Sequence, residues 1–268
     1  GRPLEPGVLL LLTGLYALLS LAVLYLLASD YRKELQLLSD GILGLASNDR
    51  TGMHGKMAVM SPDEIGRLTA AFNRLHDRLS QEYKEVDKEL QLAYSVQQQL
   101  MPQSRWDLSA AEISAVCIQH REVGGDLFDV VPLDDDRFVV VAGDVSGKGI
   151  SAALVMSVVL ALFRTEVKYG GEPEELLARI NKQVTRTLDG DMYVTLGIAL
   201  FDRSAGLTYA SAGHVAPYLI RDGQVHGLAV SSLPLGIDEN WEYRGQRVQL
   251  RKGDRLLFYS DGVIEAQG

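Results

Sequence analysis

Residues 139–157, VVVAGDVSGKGISAALVMS, constrain the chain most, because a β-type apolar run stops at Gly143-Asp144 and an apolar helical pattern begins six residues later. The β-branched residues predict a strand, and Ser151-Ala-Ala-Leu-Val-Met156 predicts a helix. Glycines at 143, 147 and 149 permit a tight turn between them. Asp144 is thereby placed at a strand end among main-chain N–H and C=O groups, where a hard cation or a phosphate can bind.

Three chemistries compete for this turn. A Walker phosphate loop needs glycine where the chain has Ala142 and Ser or Thr where it has Gly149, so that reading fails. Gly147-Lys-Gly149-Ile-Ser-Ala152 fits G-x-G-x-x-A, but the following segment, Glu172–Leu188, reads as a second helix and not as the returning parallel strand of a dinucleotide fold. A metal-ligand role for Asp144 predicts more carboxylates at strand ends, and Asp126 in Gly124-Gly125-Asp126 and Asp261 in Tyr259-Ser260-Asp261-Gly262 supply them.

At 268 residues there is room for one catalytic-sized domain plus smaller elements. A net charge of -9 argues against nucleic acid as a partner. The single cysteine, Cys117, excludes an internal disulfide, suits a reducing cytoplasm and is expected to be buried. Thiolate phosphatase chemistry needs arginine six positions after the nucleophile, and Val123 stands there. The chain opens on Gly1 and ends on Gly268 with no closing element after its last strand-like run, so both ends are expected to be cut from something longer.

Val8–Ala28 carries no charge over 21 residues, a length of about 31 Å as a helix, close to the hydrocarbon thickness of a bilayer. It reads as a transmembrane helix (8–28), and Arg32-Lys33 directly after it places the remainder in the cytoplasm, on the inner face of the cell membrane. Leu35, Leu38, Ile42 and Leu45 then mark a short amphipathic helix, followed by a glycine- and methionine-bearing connector, Ser47–Met60. Ser61-Pro-Asp-Glu-Ile-Gly66 predicts a new helix with Ser61 as N-cap, Pro62 in the first turn and Glu64 at the capping-box position. Ile65, Leu68, Phe72, Leu75 and Leu79 form a coiled-coil seam. Residues 29–80, with DEIGRLTAAFN as the most specific part, resemble a HAMP signalling module, which implies a parallel four-helix bundle in a homodimer.

Tyr83, Val86, Leu90, Ala93 and Leu100 extend the seam through a linker helix (81–102), with a stutter at Leu79–Tyr83 and a stop at Pro102. From Ala111 the pattern turns to strands: Glu112–Ile118, a loosened strand or bulge at 123–126, Val130-Val131, and Arg137–Ala142 across a solvated turn at Asp134-Asp-Asp136. Two helices, Ser151–Lys168 and Pro173–Leu188, precede strands at 192–201, 207–211, 217–221, 224–227, 243–250 and 255–260, with Asp222-Gly223 as a hairpin turn. The fold class is α+β, with layered antiparallel sheets flanked by helices.

REVGGDLFD, GDVSGKGISAALVMS, SAGHVAPYL, SLPLGI and GDRLLFYSDGVIEA occur in that order. They resemble the bacterial regulatory branch of the metal-dependent serine/threonine protein phosphatases, which includes sporulation and sigma-factor-regulating enzymes. The resemblance runs from about Ala93 to the end and implies a phosphatase domain over 103–268 with an α-β-β-α layering, holding two Mn²⁺ or Mg²⁺ ions. It implies Asp144 as the bridging carboxylate, the Val145 carbonyl as a main-chain ligand, and Asp126 and Asp261 as flanking ligands. Arg121 is placed like the family's phosphate-binding arginine, an exposed strand arginine being the equal alternative. Lys148 either steers the substrate or solvates the turn; His214 suits a structural role near a turn better than that of general acid, and Gly236 suits a turn. The family's further Asp-Asp ligand near its last strand has no counterpart before Gly268, so one metal site is expected to be incomplete. The implied substrate is a phosphorylated protein such as an anti-sigma-factor antagonist. A non-catalytic scaffold of the same fold is the rival reading, and a nucleotide-binding oxidoreductase a distant third.

Overall fold

The structure, a computed structural model, describes residues 6–46, 56–59, 61–118, 123–188 and 190–265. They form two compact units, one ending at Val86 and the other beginning at Asp87.

In the first unit, helix α1 runs unbroken over Pro6–Ala46, so the apolar run and the amphipathic stretch after it form one helix and not two. From Leu10 to Leu27 its large apolar side chains are more than half exposed. Among the residues of the following stretch whose burial is described, Leu38 is the buried large apolar side chain. Helix α2 spans Glu64–Leu100. Its cap is Asp63 and not Ser61: Asp63 Oδ1 accepts from the Ile65 and Gly66 N–H groups at 3.0 and 3.2 Å, and the Ser61 hydroxyl donates to the same oxygen at 2.5 Å. Those bonds, with another from Tyr31 Oη, hold the Asp63 carboxyl down at about 2. Gly66 belongs to this arrangement because any Cβ there would collide with the Ser61 carbonyl. Asn73 clamps the connector, its amide bonding both the N–H and the C=O of Met57 at 3.0 and 2.8 Å.

The second unit begins with the last turns of α2 and a small hairpin, β1 (Arg105–Asp107) and β2 (Glu112–Ser114). The strand expected to continue to Ile118 stops at Ser114, leaving Val116 and Ile118 exposed and Cys117 half-buried. Strands β3 (Leu127–Pro132), β4 (Arg137–Val145), β5 (Val194–Asp202), β6 (Gly206–Ala212) and β9 (Gly245–Val248) form one antiparallel sheet in the order β3-β4-β5-β6-β9. The triple-aspartate turn joins β3 to β4, with Asp134 paired to Arg137 and Asp136 to Arg203. Strands β7 (Tyr218–Arg221), β8 (Gln224–Gly227) and β10 (Arg255–Leu257) form a second sheet in the order β10-β7-β8. Asp222 and Gly223 both take positive φ, the twist a two-residue hairpin needs.

Alternation along the strands sorts the core into layers. Val139, Val141, Leu196, Ile198 and Ala210 face helices α3 (Ile150–Glu166) and α4 (Pro173–Thr187), while Ala199, Leu207 and Tyr209 face Leu219 and Leu228 of the second-sheet side. On α3 the residues Ala152, Met156, Val159 and Phe163 are wholly buried, one helical stripe, and Leu176, Leu177 and Ile180 of α4 complete that layer. Each such large side chain contributes about 1.5–3 kcal/mol relative to exposure. A short helix, α5 (Asp261–Glu265), follows β10 where the sequence suggested only a turn.

Candidate active site

Strand β4 does not stop at Gly143: Asp144 remains in it, opposite Thr195, and Val145 opposite Val194. The turn proper is Ser146–Gly149, anchored where the Ser146 N–H donates to the Tyr193 carbonyl at 2.9 Å and the Tyr193 N–H donates to Ser146 Oγ at 2.8 Å. Gly147 and Gly149 take positive φ, and Lys148 is exposed at the tip.

The segment before β3 crosses this strand end closely. A Cβ built on Gly125 would lie 2.7 Å from the Val145 carbonyl oxygen and 2.9 Å from Asp144 Oδ1, so only glycine lets the chain pass. Asp126 comes next in sequence. Its Oδ1 is buried and has no hydrogen-bond partner among the described residues. Burial pushes the Asp126 carboxyl above its usual range; a hydrogen bond from Ser260 works against that rise, and the negative charge of Asp261 adds to it. Asp261 itself is exposed, in the first turn of α5. The segment leading to Asp126 thus lies against Asp144 and the Val145 carbonyl, and Asp126 feels the charge of Asp261 from a third stretch of chain. Arg121 lies outside the described residues.

The donors are all oxygens, the set a hard divalent cation takes, and a buried carboxylate oxygen without a donor is what such an ion would satisfy. Among the described residues no three carboxylate, imidazole or thiol side chains stand close enough to enclose an ion unaided. Mg²⁺ is commonly held by one or two carboxylates and keeps several waters, so this donor set still fits it.

Four polar residues whose contacts the structure reveals escaped the sequence reading. Gln97, buried in α2, donates from Nε2 to the Gly124 carbonyl at 2.7 Å and accepts from the Gly124 N–H at 3.4 Å, gripping the chain two residues before Asp126. Arg164 of α3 donates to the buried Asp129 at 2.6 Å and to the Leu100 carbonyl at the end of α2 at 3.0 Å. Thr195 Oγ1 lies 3.0 Å from Nδ1 of His214, which is buried as a structural histidine should be. Asn181, wholly buried in α4, accepts from the Gly236 N–H at 3.0 Å and donates to the Asp238 carbonyl at 2.7 Å, fixing the turn expected at Gly236. The run Gln97-Gln-Gln99 gave no hint of which amide turns inward, and Thr195 and Asn181 carry no motif.

Two facing antiparallel sheets, a helical layer and a carboxylate edge at the strand ends define a phosphatase domain of the PP2C type. The SiaA-PP2C domain of Pseudomonas aeruginosa has this fold, with a TM-score of 0.53 at 19% identity over 65% of this chain and 71% of that one. Residues 134–268 match the family described as Stage II sporulation protein E (SpoIIE), and the chain belongs to that family. The phosphoserine phosphatase RsbU of Bacillus subtilis is 31% identical over 195 residues, which cover 72% of this chain and 58% of that protein. The RsbU and RsbW domains of Rv1364c from Mycobacterium tuberculosis are similar at 33% identity and a TM-score of 0.50, covering 57% of this chain and 43% of that one. The chain therefore spans less than two thirds of the length of the curated relatives it matches.

Proposed function

We propose that this chain is a membrane-linked signalling phosphatase that hydrolyses phosphoserine or phosphothreonine on a regulatory protein such as an anti-sigma-factor antagonist. The observation that carries the reading is the buried Asp126 Oδ1, without a hydrogen-bond partner among the described residues, next in the chain to Gly125, which packs against Asp144 and the Val145 carbonyl. Asp126, Asp144, Val145 and Asp261 would hold Mn²⁺ or Mg²⁺, with two ions in the complete domain. Bound there, the ions would acidify a water into a nucleophile and neutralise phosphate oxygens. The protein's own part is to keep the oxygens in place: β4 fixes Asp144 and Val145, Gln97 fixes the segment leading to Asp126, and β10 delivers Asp261.

The reading extends to control. Residues 8–28 anchor the protein in the cytoplasmic membrane, 29–80 act as a HAMP-like relay in a parallel homodimer, and 81–102 carry the change to the domain at 103–268. Seam residues Leu68, Leu75, Tyr83 and Val86 are 52–69% exposed in the single chain, which supports a partner helix against them. Gln97 and the Arg164 bond to Leu100 support the last turns of α2 as the point where a change would reach the Asp126 segment and α3.

Phosphate release from a phosphoserine peptide with Mn²⁺ tests the activity. The wild-type chain should release phosphate, and Asp144→Asn should release essentially none. A metal-independent rate, or equal rates for the two, would end the proposal and favour the scaffold of the same fold.

A further inference from the structure

The stretch that carries Asp126 approaches the sheet ahead of any strand pairing. The β3–β4 ladder begins at Leu127, opposite Gly143, so residues 124–126 lie outside it. Val123, Gly125 and Leu127 alternate inward and are buried, with Gly124 and Asp126 half-buried between them. A main chain this close to the interior needs partners for its N–H and C=O groups, and at Gly124 the ladder offers none.

Gln97 supplies both. Its Nε2 donates to the Gly124 carbonyl at 2.7 Å, and its Oε1 accepts from the Gly124 N–H at 3.4 Å. One bond given and one received on the same residue is the exchange that an antiparallel neighbour strand would make. The side-chain amide therefore stands in for a strand. Gln97 is 3% exposed, while Gln98 and Gln99 beside it are exposed.

The helix that carries Gln97 is tied to the same stretch at a second point. Arg164 of α3 donates to the Leu100 carbonyl at 3.0 Å and to Asp129 Oδ2 at 2.6 Å. Asp129 is buried in β3, and its Oδ1 accepts from the Val130 N–H at 2.8 Å. Asp126 thus lies between two fixed points, Gly124 and Asp129, and both are referred to the last turn of α2.

We propose that Gln97 is a positioning residue for the metal site: its amide replaces the absent strand partner of Gly124 and, with α2 tied to β3 through Arg164, fixes where Asp126 presents its carboxylate. The inference rests on the metal-dependent reading above. A glutamine that only packed would matter to stability alone, whereas a positioning glutamine matters to metal affinity in protein that is fully folded.

The test is a Mn²⁺ titration of the full chain without substrate, following free Mn²⁺ by electron paramagnetic resonance, at a temperature where thermal unfolding shows every variant folded. Gln97→Met keeps the length of the side chain without its hydrogen bonds. It is expected to bind Mn²⁺ roughly 10-fold more weakly, the low end of what loss of a ligand-orienting partner costs, because Gln97 acts through the main chain and not on the ligand itself. Arg164→Lys keeps a charge for Asp129 but gives up the planar fork that also reaches Leu100. It should weaken binding by less, and combined with Gln97→Met no further than Gln97→Met alone, since both act on one stretch of chain. Asp254→Asn, which gives up the ion pair with Arg221 just before β10, is the control for stability and should bind as the wild type does. Wild-type affinity in Gln97→Met, a loss in Asp254→Asn as large as in Gln97→Met, or fully additive losses in the double variant would overturn the inference while leaving the metal reading intact. No Mn²⁺ bound by the wild-type chain would overturn both.

Discussion

Gly125→Ala probes the crowding on which the proposed site depends. The added Cβ would stand 2.7 Å from the Val145 carbonyl oxygen and 2.9 Å from Asp144 Oδ1, where ordinary contact begins at 3.4 Å. The Asp144 carboxylate can turn aside, but the Val145 oxygen is main chain bonded into β4, so one of the two crossing segments must retreat by about 0.7 Å. A displacement approaching an ångström between reacting groups costs on the order of 100-fold in rate. The same crowding should cost stability, by about 1–3 kcal/mol as overpacking does, although φ at Gly125 is not positive and adds no strain of its own. Gly227→Ala is the control, its Cβ meeting only Tyr218 Cε1 at 3.8 Å. Phosphate release against Mn²⁺ concentration should show the 125 variant about 100-fold slower and needing more metal, with the 227 variant within about twofold of wild type. An alanine at 125 that leaves rate and metal requirement unchanged would refute the placement of the site at this crossing.

Asn181→Ala leaves the Gly236 N–H and the Asp238 carbonyl without their buried partner, and urea unfolding should show a loss of about 2–3 kcal/mol. Asp254, bonded by Arg221 and by the Arg251 N–H, is held at about 2 against its ordinary 3.8. A carboxyl depressed in the folded state stabilises above its unfolded value and loses that contribution as pH falls, so the melting temperature should drop between about pH 4 and pH 2, less steeply in Asp254→Asn. Insertions of one to four residues near Tyr83 rotate the downstream helix by about 100° each; phosphatase activity should vary periodically with insertion length, and a flat response would remove the helical relay from the proposal.

Much of the second unit was legible as pattern. The alternation of 137–142, the 3.6-residue stripe of α3 and the Asp222-Gly223 turn are local consequences of side-chain chemistry, and the structure places them where the pattern puts them. Boundaries slipped where a distant partner decided them. Asp144 stays in β4 because Thr195, some fifty residues away in sequence, continues the ladder. Ser61 and Asp63 are both competent caps, and the choice fell to Asp63 because Tyr31 from α1 reaches its second oxygen at 2.8 Å and Gly66 lets the chain fold back over Ser61.

By itself the sequence determined the long apolar helix, the acidic residues available to a metal and the glycines around them, because composition and short-range spacing fix these without reference to the rest of the fold. Only the tertiary structure decided that Gly125 passes against Val145, that Gln97 grips Gly124, and that the Thr195 hydroxyl meets the His214 ring. Those contacts join residues from separate elements. A buried polar group must find its partner wherever packing brings one, and packing is a property of the whole domain.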